Sequence, residues 1–272
     1  MDSLLTPAIS QLTIMLSVVI ITLNEEKNIL RCLESVQEVA DEIVVVDSGS
    51  TDQTHRIAEE VGVQWIEHPF GGHIEQKNFA MQQARFDWVL SLDADEALEV
   101  SLKEEILAEK AKGFVGAYRF RRLNNYCGQW IRHGTWYPDK RIRLVDRRKA
   151  AWGGRNPHDE LRPHPDVNVT EFRGHILHYT LADLEAHLKQ INYFSTLAAQ
   201  SKFESGAKFS WAQLLLNPTW RFLKEYVIKG GFRDGYMGFQ IAVMAGYAGF
   251  LRYAKLRALW KDSRKNESAK LP

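Results

Sequence analysis

An α/β fold on a mostly parallel, doubly wound sheet is predicted by three features of the sequence. Over the first hundred residues, short apolar runs alternate with segments of helical periodicity. The runs are nearly continuous in Val, Ile and Leu, as in LSVVIIT (16–22) and EIVVVD (42–47), the pattern of strands buried on both faces. Polar clusters (TLNEE, DSGSTD, DADE) follow three of the runs, where the carboxyl ends of parallel strands gather ligands.

The elements follow in order. LSVVIIT is a strand, and EEKNILRCLESV places Ile29, Leu30, Leu33 and Val36 on one helical stripe. EIVVVD is a second strand, and DQTHRIAEEVG a helix stopped at Gly62. VQWIEH, IEQKNFAMQQA and DWVLSLDADE read as strand, helix and strand, and EALEVSLKEEIL as a helix capped by Asp95 or Glu96. From about residue 114 the residues alternate, in GFVGAYRFRRLNNYCGQWI and KRIRLVDRR, which predicts antiparallel strands joined by the aromatic turn HGTWYPD. From 181 the chain reads as helical. The expected divisions are a leader (1–15), a first half (16–115), an antiparallel extension (116–180) and a helical C-terminal region (181–272).

Composition narrows the function classes. A hydrophobic content of 45% suffices for a real core, and a net charge of +1 gives no general attraction to nucleic acid. Cys32 and Cys127 stand far apart without C-x-x-C spacing, which excludes a disulfide framework and fits a reducing compartment. The leader lacks a basic n-region and a small-residue cleavage site, so no secretory signal is expected.

Candidate sites cluster after the strands. Asp93 and Asp95 can point the same way from an extended segment, and like charges that close need a cation, donors or water between them. They suit Mg²⁺ or Mn²⁺, or else form a solvated strand end. Asp47 ends the second strand and Asp52 precedes the next helix. Such carboxylates accept hydrogen bonds from a nucleobase or ribose, or from their own backbone. Neither G-x-x-x-x-G-K-[ST] nor a G-x-G-x-x-G after the first strand is present, which disfavours a P-loop kinase or a dinucleotide dehydrogenase. Lys77 is placed to reach phosphates, or is solvated. WGGRNPHDELRP reads as a glycine-rich loop presenting Asp159 and Glu160, either as a general base or as a salt bridge to Arg155 or Arg162. His178 is a metal or phosphate ligand, or structural. Between Arg119 and Lys149 ten Lys or Arg face two Asp among aromatics, suiting either an anionic sugar acceptor or a solvated face. The stretch from Tyr236 is too short and interrupted to span a bilayer. With Arg252, Lys255, Arg257 and Lys261 after it, it suits a membrane-surface helix or a buried one.

Together SVVIITLNEEKNILRCLESV, EIVVVDSGSTDQT, QKNFA and DWVLSLDADE resemble glycosyltransferase family 2, over about residues 16–100. NPHDEL, ILHYT, KQINYFSTLAA and the tail from NPTWRFLKEYVIKGG resemble its bacterial lipopolysaccharide inner-core β-1,4-glucosyltransferases. That resemblance implies a GT-A fold whose antiparallel extension binds the acceptor. It implies a UDP-sugar donor and a divalent cation, with inverting transfer of a sugar, glucose by this likeness, to a hydroxyl of an inner-core heptose. Carried over, Thr22, Asn24 and Glu25 line the nucleotide, Asp47 meets the base, and Asp93 and Asp95 hold the metal. Where the group commonly has an H-E pair this chain has His158-Asp159, so Asp159 is favoured as base over Glu160. The implied partners are the donor, an anionic glycolipid acceptor and the inner-leaflet surface of a Gram-negative inner membrane, reached from the cytoplasm, with no nucleic acid. Alternatives are a polyprenyl-phosphate glycosyltransferase of the same fold and a non-catalytic carbohydrate-binding protein.

Overall fold

The computed structural model describes residues 14–155 and 158–268. The described residues form two compact units, one falling within 1–122 and 140–177, the other within 123–139 and 178–272.

The first unit is laid out as strand and helix in alternation: β1 (Leu16–Thr22), α1 (Ile29–Val36), β2 (Glu42–Asp47), α2 (Thr54–Val61), β3 (Gln64–Glu67), α3 (His73–Gln83) and β4 (Trp88–Asp93). β5 (Glu96–Leu98), α4 (Val100–Lys112) and β6 (Ala117–Tyr126) follow. β7 (Gln129–Ile131) belongs to the second unit, and β8 (Asp139–Asp146), β9 (Ala150–Arg155), β10 (His158–Pro163) and β11 (Val169–Leu181) come after it. The main sheet runs β3-β2-β1-β4-β8-β6-β11-β5, with β7 on β6. β1 lies parallel to both β2 and β4, and β8 returns antiparallel on β4. The strand order reverses at β1, so the gap beyond the ends of β1 and β4 is the place where such sheets bind ligands. There Thr22 is level with Asp47, and Ile21 with Asp93.

Strand alternation builds a layer on each face. Val18 and Ile20 of β1 pack with Ile29, Leu33 and Val36 of α1 and with Leu102 and Ile106 of α4. Val19, pointing the other way, packs with Ala80 and Met81 of α3, Trp152 and Leu161. α4 lies close on β11 because position 174 is glycine: a Cβ there would come within 2.7 Å of the Leu102 backbone.

Two expectations change. Asp95 and Glu96 do not cap a helix; Glu96–Leu98 forms β5, and α4 begins at Val100 behind Glu99. The segment read as a glycine-rich loop is a two-stranded antiparallel ribbon, β9 and β10, with Asp159 opposite Gly154 and Glu160 opposite Gly153. Residues 156 and 157 of that segment lie outside the described residues.

In the second unit α5 (Leu184–Glu204), α6 (Trp211–Leu223) and α7 (Gly235–Ser268) supply most of the mass. Leu214 of α6 packs with Ala199 of α5 and with Tyr253 and Leu256 of α7. Tyr126, Ile131, Leu181 and Ile241 form a second cluster. No helix among the described residues is long and apolar enough to cross a membrane.

Candidate active site

The loops after β1 and β2 are laced together. Asn24, in the left-handed region at φ 55°, a conformation Asn tolerates better than most residues, donates its N–H to Ser50 Oγ at 2.8 Å. Its Oδ1 accepts the Thr51 N–H at 2.8 Å. The Glu25 N–H goes to Thr54 Oγ1 at 2.8 Å, and the Glu26 N–H to Asp52 Oδ2 at 3.1 Å. Asp47, buried, accepts the N–H groups of Gly49 and Ser50 at 2.9 and 2.7 Å and the Ser50 hydroxyl at 2.5 Å. Its oxygens hold the loop it starts, and Gly49, at φ 97°, lets the backbone fold back over them. At Asp52 partial desolvation raises the carboxyl pKa, but hydrogen bonds from Thr54 and the Glu26 N–H outweigh it and leave the group below its ordinary range. Thr22 Oγ1 is buried without a hydrogen-bond partner.

Helix α3 supplies three consecutive side chains that tie the surrounding segments together. Gln76 is fully buried and donates to Ser48 Oγ at 3.1 Å, with His68 Nδ1 2.8 Å from its Oε1. Asn78 makes two 3.0 Å bonds with the Trp152 backbone, anchoring β9. Between them Lys77, 3% exposed, places Nζ 2.9 Å from Asp93 Oδ1 and 2.8 Å from Asp159 Oδ2.

A chain of alternating charge extends from that lysine. Arg143 of β8 lies 3.2 Å from Asp93 and 2.9 Å from Glu96, and Arg122 of β6 reaches Glu96 at 3.2 Å. Three acids and three cations therefore run Asp159, Lys77, Asp93, Arg143, Glu96, Arg122, the compensation that burial of charge demands. Burial pushes the Asp93 carboxyl up, but the Lys77 ammonium and the Arg143 guanidinium outweigh it and hold it well below the carboxylate range. Asp159 behaves alike: desolvation raises it, and Lys77 brings it net below its ordinary value. At Arg143 desolvation favours the neutral form, yet Glu96 and Asp93 raise its pKa overall. The Trp152 ring lies beneath, 4.5 Å from Lys77 Nζ and 5.2 Å from the Arg143 guanidinium carbon.

This centre opens into a cavity of about 580 Å³. Arg119, Arg122, Lys140, Arg141, Arg143 and Arg162 join Lys77 in its lining, against Asp93, Asp159 and Glu160. A pocket with that balance attracts anions.

Lys77, Asp93 and Asp159, singled out from sequence, are thus brought together. Asp95 sits in the turn after β4. Glu160 is exposed and pairs with Arg162 at 3.1 Å. His178 lies in the second unit, with Nδ1 2.6 Å from Asn124 Oδ1. Among the described residues no group of three or more His, Cys, Asp or Glu is arranged to hold a metal. Sequence reasoning missed Gln76, Asn78, Glu96, Arg143 and Trp152. Glu96 stood in view inside DADE, whereas Arg143 looked like any member of the basic run.

Residues 17–162 match the family model described as glycosyl transferase family 2. A Rickettsia typhi protein named an uncharacterized glycosyltransferase is 34% identical over 92% of this chain and 89% of its own. The lipopolysaccharide core biosynthesis glycosyltransferase LpsC of Rhizobium meliloti is 32% identical, covering 89% of this chain and 91% of its own. The crystal structure of S. aureus TarS 1–349 aligns with 93% of this chain and 92% of that one at TM-score 0.45 and 15% identity. The family match spans both laced loops, α3, the β4 acids and the ribbon that carries Asp159, and by its extent and the relatives' identity this chain belongs to glycosyl transferase family 2.

Proposed function

We propose that the protein transfers a sugar, glucose by its resemblances, from a UDP-sugar to a hydroxyl of an inner-core heptose on an anionic lipopolysaccharide precursor, with inversion at the anomeric carbon. The observation that carries this is Lys77 shared between Asp93 and Asp159 at the mouth of a cation-lined cavity. In this reading Asp93, at the strand-end crevice, stands beside the nucleotide diphosphate, and Asp159, across Lys77 on the ribbon, meets the acceptor. A relative named for lipopolysaccharide core biosynthesis, matched along nearly its whole length, supports the acceptor class.

In this reading Thr22, Asn24, Glu25, Asp47 and Asp52 shape the nucleoside pocket, Asp47 chiefly by fixing its loop. A divalent cation suits the hard oxygens of Asp93 and Asp95, and Asp93 Oδ1 is buried without a hydrogen bond even though an ammonium stands near. When bound, such an ion neutralises charge on the leaving diphosphate.

The lysine links the two acids chemically. While Lys77 pairs with Asp159, that carboxylate is a weak base. A diphosphate arriving beside Asp93 offers Lys77 a stronger anionic partner. As the ammonium turns to it, Asp159 loses its cation and gains basicity, ready to take the proton of the attacking hydroxyl. The base is thereby strengthened only when donor is in place.

The test is incubation with UDP-sugars and a deacylated inner-core acceptor, followed by NMR of the product. A β-glycoside from an α-linked donor supports the proposal. Donor-dependent product with polyprenyl phosphate alone, and full activity in Asp159→Asn, would favour the polyprenyl-phosphate alternative.

A further inference from the structure

We infer that α6, the turns after it and the outer stripe of α7 form one surface that lies in the headgroup layer of an anionic lipid bilayer. α6 ends in a π-helical turn, Lys224–Ile228, and a short turn, Gly231–Asp234, leads into α7. Along this hairpin large apolar side chains stand in solvent: Leu215 is 65% exposed, Leu216 67%, Trp220 55%, Ile228 60% and Tyr236 70%. On α7 the spacing Phe239, Val243, Tyr247, Phe250 makes a single exposed stripe.

This exposure follows from how the two helices meet. They approach through small residues: a Cβ on Gly246 would lie 3.1 Å from the Pro218 carbonyl oxygen, and one on Gly249 would lie 2.7 Å from Asn217 Oδ1. The bulky residues are therefore left on the other side. Phe222, Tyr226, Phe232 and Phe239 bridge the elements, with neighbouring ring centroids 5.5 to 6.3 Å apart, so the patch is continuous across the turn.

Charge identifies the occupant. From Lys208 to Lys261 the sequence has nine Lys or Arg and two acids. Both acids point inward: Glu225, 4% exposed, accepts from Thr135 N at 2.9 Å, and Asp234, 7% exposed, accepts from His133 N at 2.8 Å. The exposed charge is thus uniformly positive, at Lys208, Lys224, Lys229, Arg233, Arg257 and Lys261. A second copy would bring like charges together, and a nucleic acid would leave the aliphatic groups unburied. Aliphatic and aromatic side chains ringed by cations match the boundary between anionic headgroups and acyl chains. With no helix among the described residues long and apolar enough to span, the hairpin lies in the interface. To the stretch from Tyr236 that the sequence singles out, the structure adds the exposed apolar residues of α6 and its turns.

The inference rests on the proposed lipid-linked acceptor only for its purpose, so its test uses vesicles containing neither acceptor nor donor. Full-length protein is sedimented with phosphatidylglycerol–phosphatidylethanolamine vesicles and with phosphatidylcholine vesicles. We expect binding at least tenfold tighter to the anionic set, and a tenfold or greater loss in Leu216→Ser/Trp220→Ser and in Ile228→Ser, with melting temperature and donor hydrolysis unchanged. Lys224→Glu/Lys229→Glu should lose the anionic preference. Equal binding by wild type and variants, or no preference for anionic vesicles, overturns the inference. So does an oligomer in sedimentation velocity that the same substitutions dissociate, since the patch would then be a protein interface. Failure of sugar transfer alongside intact vesicle binding would overturn only the acceptor reading.

Discussion

Lys77 has one ammonium and two carboxylates to serve, and most of what can be tested at the scale of single residues follows from that. Lys77→Met should lower transfer severely but leave it measurable, and should raise the Asp159 pKa in the free enzyme. The acid limb of the kcat/KM-against-pH profile, which reports the free enzyme, would then move upward, whereas a merely structural lysine would leave its position alone. Asp159→Asn should lower turnover by about 10²–10⁴ with donor affinity little changed, the usual loss on removing a positioned base. Glu160→Gln, which breaks an exposed pair with Arg162, should do far less. Measurement of both at saturating donor and acceptor decides between them, and a dead Glu160→Gln would move the base by one residue. Asp93→Asn leaves Lys77 and Arg143 undercompensated, so we expect it to cost on the order of 3 kcal/mol of stability as well as activity. Its carboxyl is depressed in the fold, so this contribution is present above the unfolded carboxylate range and is lost as pH falls through the folded value. Asp95→Asn is the cleaner probe of a metal: loss of chelator-sensitive transfer without a change in melting is the expected result. The acids were legible because strand ends expose them to sequence logic. Arg143 was not, because in KRIR neighbours two apart share a face, and only the fold says which face is inward.

At the scale of elements, strands and helices buried on a repeating pattern were readable to within a few residues, as β1, β2 and α3 show. The exceptions are elements whose state is set by distant partners. Glu96–Leu98 joins the sheet edge beside β11, and a three-residue strand carries no periodic signal. The ribbon of β9 and β10 was hidden by Gly153, which packs under the Arg162 side chain, and by Gly154, which pairs with Asp159 of the opposing strand rather than making a loop. In the second unit an inter-element contact sets a pH dependence. Tyr126 Oη lies 2.9 Å from His187 Nδ1 and accepts from Gln240 Nε2 at 2.9 Å. Burial pushes Tyr126 up to about 12 and brings His187 down to about 4. A histidine depressed in the fold is protonated first in the unfolded chain, so it costs nothing near neutral pH. It removes stability as pH falls from about 6.5 toward 4, by up to roughly 3 kcal/mol. Urea unfolding between pH 7 and 4.5, followed by probes in α5, should show that slope in wild type and a flatter one in His187→Gln. An unchanged slope in the variant would assign the pH dependence to other groups.

At the scale of the whole molecule, a UDP-sugar near 100 times its dissociation constant should stabilise the protein by about 2.7 kcal/mol. Thermal shift with and without Mn²⁺ would then report how far the ion contributes to donor binding; no shift with any nucleotide sugar would remove the donor site proposed here. The sequence could announce a change of pattern near residue 114, but not that the chain leaves the first unit at Arg122 and returns at Lys140. Nothing in the local composition of a strand such as β6 marks where it passes from one core to another. That return has a consequence for biosynthesis. The strand that pairs with β4 is β8, although β6 is made before it. A nascent chain that has emerged only as far as Tyr126 holds the parallel strands β3, β2, β1 and β4 with the backbone groups along one side of β4 unpaired. Until residues 139–146 arrive, that row is an invitation to foreign strands. Fragments ending before β8 should therefore aggregate during translation, while those reaching past β11 should stay dispersed, and a ribosome pause between the two points is where a holding chaperone would be most needed.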